Sequence, residues 1–248
     1  MNAELSYAGL ALWLVPSPQS STSQNLSSLI SSLAAQHDTP AFLPHITLLS
    51  GIPRQSLSEV GAGTSDLSGV DAERTNDVLE RVRKAVIDWR REGSHENGVD
   101  AVYAKLGTKP TPFQYLFVQI TKSPALLTLH QSLARQLTAP HSSSTQDPHA
   151  DEDDQRAKVA ADYFPHLSLM YGVDSLSPPR NSHQIISTLV RDGLATSPPH
   201  SDSTEILSGE NKCTVGGEGG FRGKEIVVMD CEGPVSGWVA LGRVSLIS

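Results

Sequence analysis

Cysteine is scarce in this 248-residue chain: Cys213 and Cys231 are the only two. With no Cys-x-x-Cys pair and no histidine cluster beside them, they cannot complete the four ligands of a structural zinc site. A chain this long can bury its own core and needs no disulfide scaffold, so reduced thiols in an intracellular protein are expected. Long apolar runs are missing as well. The run near the start, YAGLALWLV at residues 7–15, has no basic leader and is far short of the roughly 20 residues that span a bilayer. It reads as a first buried strand. Basic excess is the third absence: 19 Lys and Arg face 27 Asp and Glu, for a formal net charge of −8. Asp147, Asp151, Glu152, Asp153 and Asp154 supply five of those negatives, leaving about −3 elsewhere. That balance argues against a protein that coats long nucleic acid, which needs many cations against phosphates. It leaves room for a small phosphorylated ligand held in one pocket.

The periodicities that are present alternate between helix and strand. Leu26, Leu29, Ile30 and Leu33 have helical spacing over 24–36, and Val78, Val82, Val86 and Trp89 make an apolar stripe over 75–91. Strands are expected at 100–106 and 113–121, around the turn TKPTP. Ser123-Pro124 reads as an N-cap followed by proline at the first helical position, opening a helix to about 138. A further helix is expected over 180–192 and strands over 224–230 and 235–247. Ser-, Gly-, Pro- and Asp-rich stretches at 53–72, 139–157 and 195–220 interrupt these elements and read as insertions.

What is most informative is a repetition. FLPHITLLSG at 42–51 returns as YFPHLSLMYG at 163–172. Residues i and i+2 of a strand share a face, so His45 and Thr47 point one way while Ile46 and Leu48 point into the core. His166 and Ser168 repeat this, with Leu167 and Leu169 inward. Each proline precedes its histidine at the strand start, where a missing N–H is tolerated. Imidazole titrates near neutrality and can both take and give a proton there. Two of them flanking a phosphorus divide that labour, and the hydroxyls beside them hold the non-bridging oxygens. This chemistry requires no metal or other cofactor, and the carboxylate-histidine clusters of a metallophosphatase are not seen.

The two H-x-[TS]-hydrophobic motifs, His45-Ile46-Thr47-Leu48 and His166-Leu167-Ser168-Leu169, resemble those of the 2H phosphoesterase superfamily. With Tyr171-Gly172 after the second motif and ALWLVP near the start, the layout is similar to the fungal and plant 2′,3′-cyclic-nucleotide 3′-phosphodiesterases, or cyclic phosphodiesterases. The resemblance implies an α+β fold of two pseudo-symmetric lobes. Each lobe would be an antiparallel-rich sheet with outer helices, and both motifs would face a central cleft in a single bilobal domain over 1–248. It implies that His45 and His166 are the catalytic pair and that Thr47 and Ser168 bind the substrate phosphate. Tyr171 would be turned into the cleft by a bend beside Gly172, and Trp13 is the expected stacking surface for a base. The substrates implied are 2′,3′-cyclic nucleotides, opened to 2′-nucleotides, and ADP-ribose 1″,2″-cyclic phosphate, a by-product of tRNA splicing. Spacing does not order the two histidines; His166 is taken as base and His45 as acid. Another 2H activity on RNA 2′,3′-ends, either end processing or 2′-5′ ligation, is the neighbouring alternative. A non-catalytic module that binds nucleotide phosphates is the alternative of a different class. A cytoplasmic monomer without a transmembrane segment is expected, with peripheral association to an endomembrane such as the Golgi left open.

Other histidines draw no role. His130 sits by the apolar stripe of its helix and reads as structural. GGEGG at 216–220 lacks the Lys-Ser/Thr ending of a P-loop.

Overall fold

The computed structural model describes residues 5–53, 67–93, 97–138, 162–172, 180–197 and 213–247. The apolar run near the start forms strand β2 (Leu10–Pro16), preceded by a short β1 (Ser6–Tyr7). Helix α1 (Ser21–His37) follows, and the Ser20 hydroxyl accepts from the Ser23 N–H at 3.1 Å to cap it. The first motif opens β3 (Ile46–Ile52), so Phe42 to His45 precede the strand rather than belong to it. Helix α2 runs Leu67–Glu92, and residues 67–72, expected as loop, are therefore its opening turns. Then come β4 (Val99–Gly107), a 3₁₀ turn (Pro112–Gln114), β5 (Leu116–Ile120) and α3 (Pro124–Thr138). The Ser123 hydroxyl accepts from the Leu126 N–H at 3.3 Å, the cap expected from Ser-Pro.

The second motif is β6 (His166–Met170), followed by α4 (Arg180–Arg191). Within the segment read as an insertion at 195–220, Ala195–Thr196 (β7) and Thr214–Val215 (β8) pair as a small antiparallel ladder. Residues 198–212 of that segment, like the insertion at 139–157 and residues 54–66, lie outside the described residues. The chain closes with β9 (Gly220–Asp230), β10 (Gly233–Pro234), a second 3₁₀ turn (Val235–Gly237) and β11 (Val239–Ser245).

The fold is α+β, with helices outside antiparallel strands. One half contributes β11-β9-β2-β3 and the other β6-β5-β4, and the two run together as one seven-stranded sheet. The seam is narrow: β3 and β6 share a single register pair, Ile46 with Leu167. On the far side Val99 to Val102 of β4 pair with Gly223 to Gly220 of β9, so the sheet closes on itself.

Strand alternation sorts the faces. Leu10, Leu12 and Leu14 of β2, Ile46 and Leu48 of β3, and Leu167 and Leu169 of β6 join the main core. The same core takes Leu26 of α1, Val82 and Trp89 of α2, and Leu129 of α3. Fully burying each such side chain is worth about 1.5–3 kcal/mol, so a one-residue register slip in these strands is strongly opposed. On the opposite face Trp13 joins a second cluster with Ala11, Val15, Val227, Met229 and Cys231. Among the described residues, no helix is long and apolar enough to cross a membrane.

Candidate active site

The narrow seam determines the site. In an antiparallel pair centred on Ile46 and Leu167, the next residues outward face each other in register. His45 therefore lies opposite Ser168, and His166 opposite Thr47. Each motif's imidazole is set against the other motif's hydroxyl. His45, Thr47, His166 and Ser168 all line one cavity of about 350 Å³.

Both rings are held in the same way. His45 Nδ1–H donates to the Leu43 carbonyl at 2.6 Å, and His166 Nδ1–H donates to the Phe164 carbonyl at 2.9 Å. A carbonyl only accepts, so Nδ1 carries the proton in each ring, and Nε2 is the nitrogen with a lone pair for the cleft. The acceptor is two residues upstream in both cases, across the proline whose fixed φ shapes the approach to the strand. Pro44 and Pro165 thus shape the turn in which each ring meets its carbonyl acceptor.

His45 is 4% exposed, and burial pushes its pKa down to about 3, against the opposing pull of the Leu43 carbonyl; the charge of His166 lowers it further. His166 is also lowered, by burial first, with Lys109 adding in the same direction. Both imidazoles are accordingly neutral at pH 7.

Trp13 lines the same cavity, but the ring it stacks on is that of His45, at 3.6 Å between centroids and 8° between planes. Its exposure is 3%. Tyr171, one residue beyond β6, does turn into the cavity beside Ser168. The Gly172 N–H donates to the Pro112 carbonyl at 2.8 Å, and a Cβ on Gly172 would meet the Tyr115 ring at 2.6 Å, so only glycine lets the chain bend there. Tyr171 stacks on Phe42 at 3.8 Å, and burial raises the pKa of its phenol, which stays protonated. The Ser168 hydroxyl donates to the Phe113 carbonyl at 2.9 Å. Cys231 also lines the cavity, and burial pushes its thiol up to about 12, so it is not a nucleophile at neutral pH.

Several site residues escaped the sequence reading. Tyr7, Phe113 and Trp238 are half-buried and line the mouth, with Phe113 and Trp238 near-parallel at 5.9 Å. They come from distant segments with no shared motif, so no local signal marked them. His130 and Tyr163 form a brace behind the first motif. Their rings stack at 3.9 Å and 8°; His130 Nδ1–H donates to the Leu48 carbonyl at 2.6 Å, and the Tyr163 hydroxyl donates to the Thr47 carbonyl at 3.1 Å. Because β3 and β6 share one register pair, side chains here take the place of strand partners for those carbonyls. The aromatic that opens the second motif thereby ties down the backbone of the first. Among the described residues no three His, Cys, Asp or Glu side chains converge as a metal-binding group.

Two imidazoles and two hydroxyls thus converge on one cavity across a strand seam. The chain matches, over residues 8–246, the family described as cyclic phosphodiesterase-like protein. It belongs to that family, within the 2H phosphoesterases, and phosphodiester hydrolysis is the reaction class. Among solved structures it is similar to E. coli LigT complexed with NADP+, at 12% identity and a TM-score of 0.42, covering 98% of this chain and 100% of that one. LigT complexed with 3′-AMP gives 13%, 0.41, 96% and 98% for the same quantities. A structure described as a phosphoesterase gives 12%, 0.42, 96% and 98%. No curated protein matches the chain.

Proposed function

We propose that the protein hydrolyses small ribose cyclic phosphates, opening 2′,3′-cyclic nucleotides to 2′-nucleotides and ADP-ribose 1″,2″-cyclic phosphate to ADP-ribose 1″-phosphate. The observation that carries this reading is the crossed register: each motif's imidazole lies opposite the other strand's hydroxyl on one cavity, so a phosphorus between them has an imidazole on either side to take and to give a proton.

In the 2′,3′-cyclic case His166 Nε2 takes a proton from water as its oxygen attacks phosphorus in line with the 3′-oxygen. The P–O3′ bond breaks, His45 delivers a proton to O3′, and the phosphate remains on O2′. Thr47 and Ser168 hold the non-bridging oxygens, and the Ser168 hydrogen turns from the Phe113 carbonyl toward the phosphate as it enters. His45 suits the acid role because its parallel stack on Trp13 favours an imidazolium by roughly 0.5–2 kcal/mol. That is too little to offset burial alone, so the incoming phosphate anion supplies the rest. Trp13 thus tunes His45, while a base finds its stacking surface on the half-buried Tyr7, Phe113 and Trp238.

His45→Ala and His166→Ala are each expected to lower kcat by about 10²–10⁴-fold with an unchanged circular dichroism spectrum. EDTA should leave the wild-type rate unaltered. The phosphate position in the product, read by NMR, should be 2′. A 3′-phosphate product, or full activity in either variant, overturns the mechanism; tight binding of cyclic phosphates without turnover supports a binding module instead.

A further inference from the structure

A second and larger cavity, about 660 Å³, lies on the side of His166 away from His45. Phe117 and Phe164 line it, and both rings pack against His166, with centroids 5.6 and 5.4 Å away. The loop from Thr108 to Gln114 separates the two cavities: Thr108 to Pro110 line the larger one, and Thr111 to Gln114 line the smaller. A ligand seated at the histidine pair therefore has the larger cavity as its neighbour.

The charge of that cavity departs from the rest of the chain. In a protein of net charge −8, its lining among the described residues includes Lys105 and Lys109 and no Asp or Glu. Among the described residues neither ammonium is paired with a carboxylate. Sheet register relates Lys105 to the site. Lys105 pairs with Gln119, and Gln119 pairs with His166. Residues directly opposed across a sheet share a face, so Lys105 lies on the His166 face two strand spacings away, about 10 Å. Lys109 approaches from the loop, its ammonium 3.5 Å over the centre of the Phe164 ring. The two cations thus flank His166 on one side, opposite the aromatic mouth.

We propose that Lys105 and Lys109 form a subsite for a second, non-reacting phosphate of the substrate, so that the protein prefers cyclic phosphates whose ribose carries a further phosphate at its other end. This deepens the reading under Proposed function and rests on it. A nucleotide's 5′-phosphate is separated from its 2′,3′-edge by one ribose, which suits a reacting phosphorus at the histidines and a second phosphate beside Lys109. The electrostatic reach of Lys109 is already visible in its lowering of His166. Bringing a second phosphate there neutralises Lys109 and lifts that influence from the imidazole.

The test is calorimetric binding of two product-like ligands, adenosine 2′-phosphate and adenosine 2′,5′-bisphosphate, to wild type and to the Lys105→Ala/Lys109→Ala double variant. Wild type should bind the bisphosphate about tenfold more tightly, the scale of charge-assisted hydrogen bonds to phosphate, and added salt should shrink the preference. The double variant should bind both ligands within about twofold of each other, with its affinity for the monophosphate kept. Equal wild-type affinities, a preference that survives in the double variant, or an equal loss for both ligands would each overturn the subsite; the last would place the lysines on the reacting phosphate. Turnover is a separate measurement. A wild type that shows the preference yet hydrolyses no cyclic phosphate sinks the function proposed above and leaves the subsite standing.

Discussion

Two neutral histidines set a condition on catalysis. An acid and base pair needs one ring charged and one neutral, yet burial holds His45 near a pKa of about 3 and lowers His166 as well. In the free protein the singly protonated form is therefore most populated below pH 6.5, with its proton on His166, the less strongly lowered ring. The proposed roles require that charge to pass to His45 when the phosphate binds. Since kcat/KM reports the free enzyme, it is expected to peak on the acid side of 6.5 and to fall as pH rises above neutrality. The profile of kcat should sit higher, because a bound phosphate anion stabilises the imidazolium. The same shift acts on stability. His45 binds a proton in the unfolded chain below 6.5 but in the folded chain only near 3, so its contribution is fully present above 6.5 and is lost as pH falls between those values. The slope is that of at most one proton, about 1.4 kcal/mol per pH unit. Urea unfolding at pH 5 and pH 7 should show this slope reduced in His45→Asn relative to wild type. The motif spacing already singled out these two imidazoles; their neutrality follows from burial, which spacing does not encode.

Between elements, the informative feature is a strand pair that scarcely pairs. The alternation in both motifs foretold which residues face the core, and β3 and β6 obey it. It contained nothing about the partners of their edge carbonyls. The His130 and Tyr163 brace takes that part, and a sequence reading had every reason to pass over a lone histidine on an apolar helix face. Tyr163→Phe removes the hydrogen bond to the Thr47 carbonyl while keeping the stack on His130. The expected cost is about 1 kcal/mol of stability or a little more. A fall in kcat of several-fold with KM changed little would mark a positioning role, since Thr47 and His45 ride on the same backbone. A loss of stability with kcat unaltered would show the brace to be structural alone. Helix boundaries were foreseeable where chemistry caps them, as at Ser123-Pro124. They were missed where composition misled, as over 67–72, because Ser and Gly in an opening helical turn look like loop.

At the scale of the whole molecule, charge and closure set what enters. A net charge of −8 opposes a polyanion, while the proposed subsite in the lysine-lined cavity would take a compact phosphate. For an oligoribonucleotide ending in a 2′,3′-cyclic phosphate, kcat/KM is expected to rise with added salt as the repulsion is screened. For a doubly phosphorylated mononucleotide it should fall. A salt response of the same sign for both would remove net charge as the discriminator and reopen the neighbouring activity on RNA ends.

The sequence by itself determined the paired motifs, the face on which each imidazole and hydroxyl lies, and the alternation of helices with strands. Those are consequences of local periodicity, written in residues two, three or four positions apart. Only the tertiary structure decided that the motif strands cross at Ile46 and Leu167, so that each histidine lies opposite the other strand's hydroxyl. It also decided that Trp13 stacks on His45, and that Lys105 stands in one row with Gln119 and His166. Each of these depends on the register between segments far apart in the chain. Register is selected by the packing of the whole sheet against its helices, and a local repeat carries no record of it.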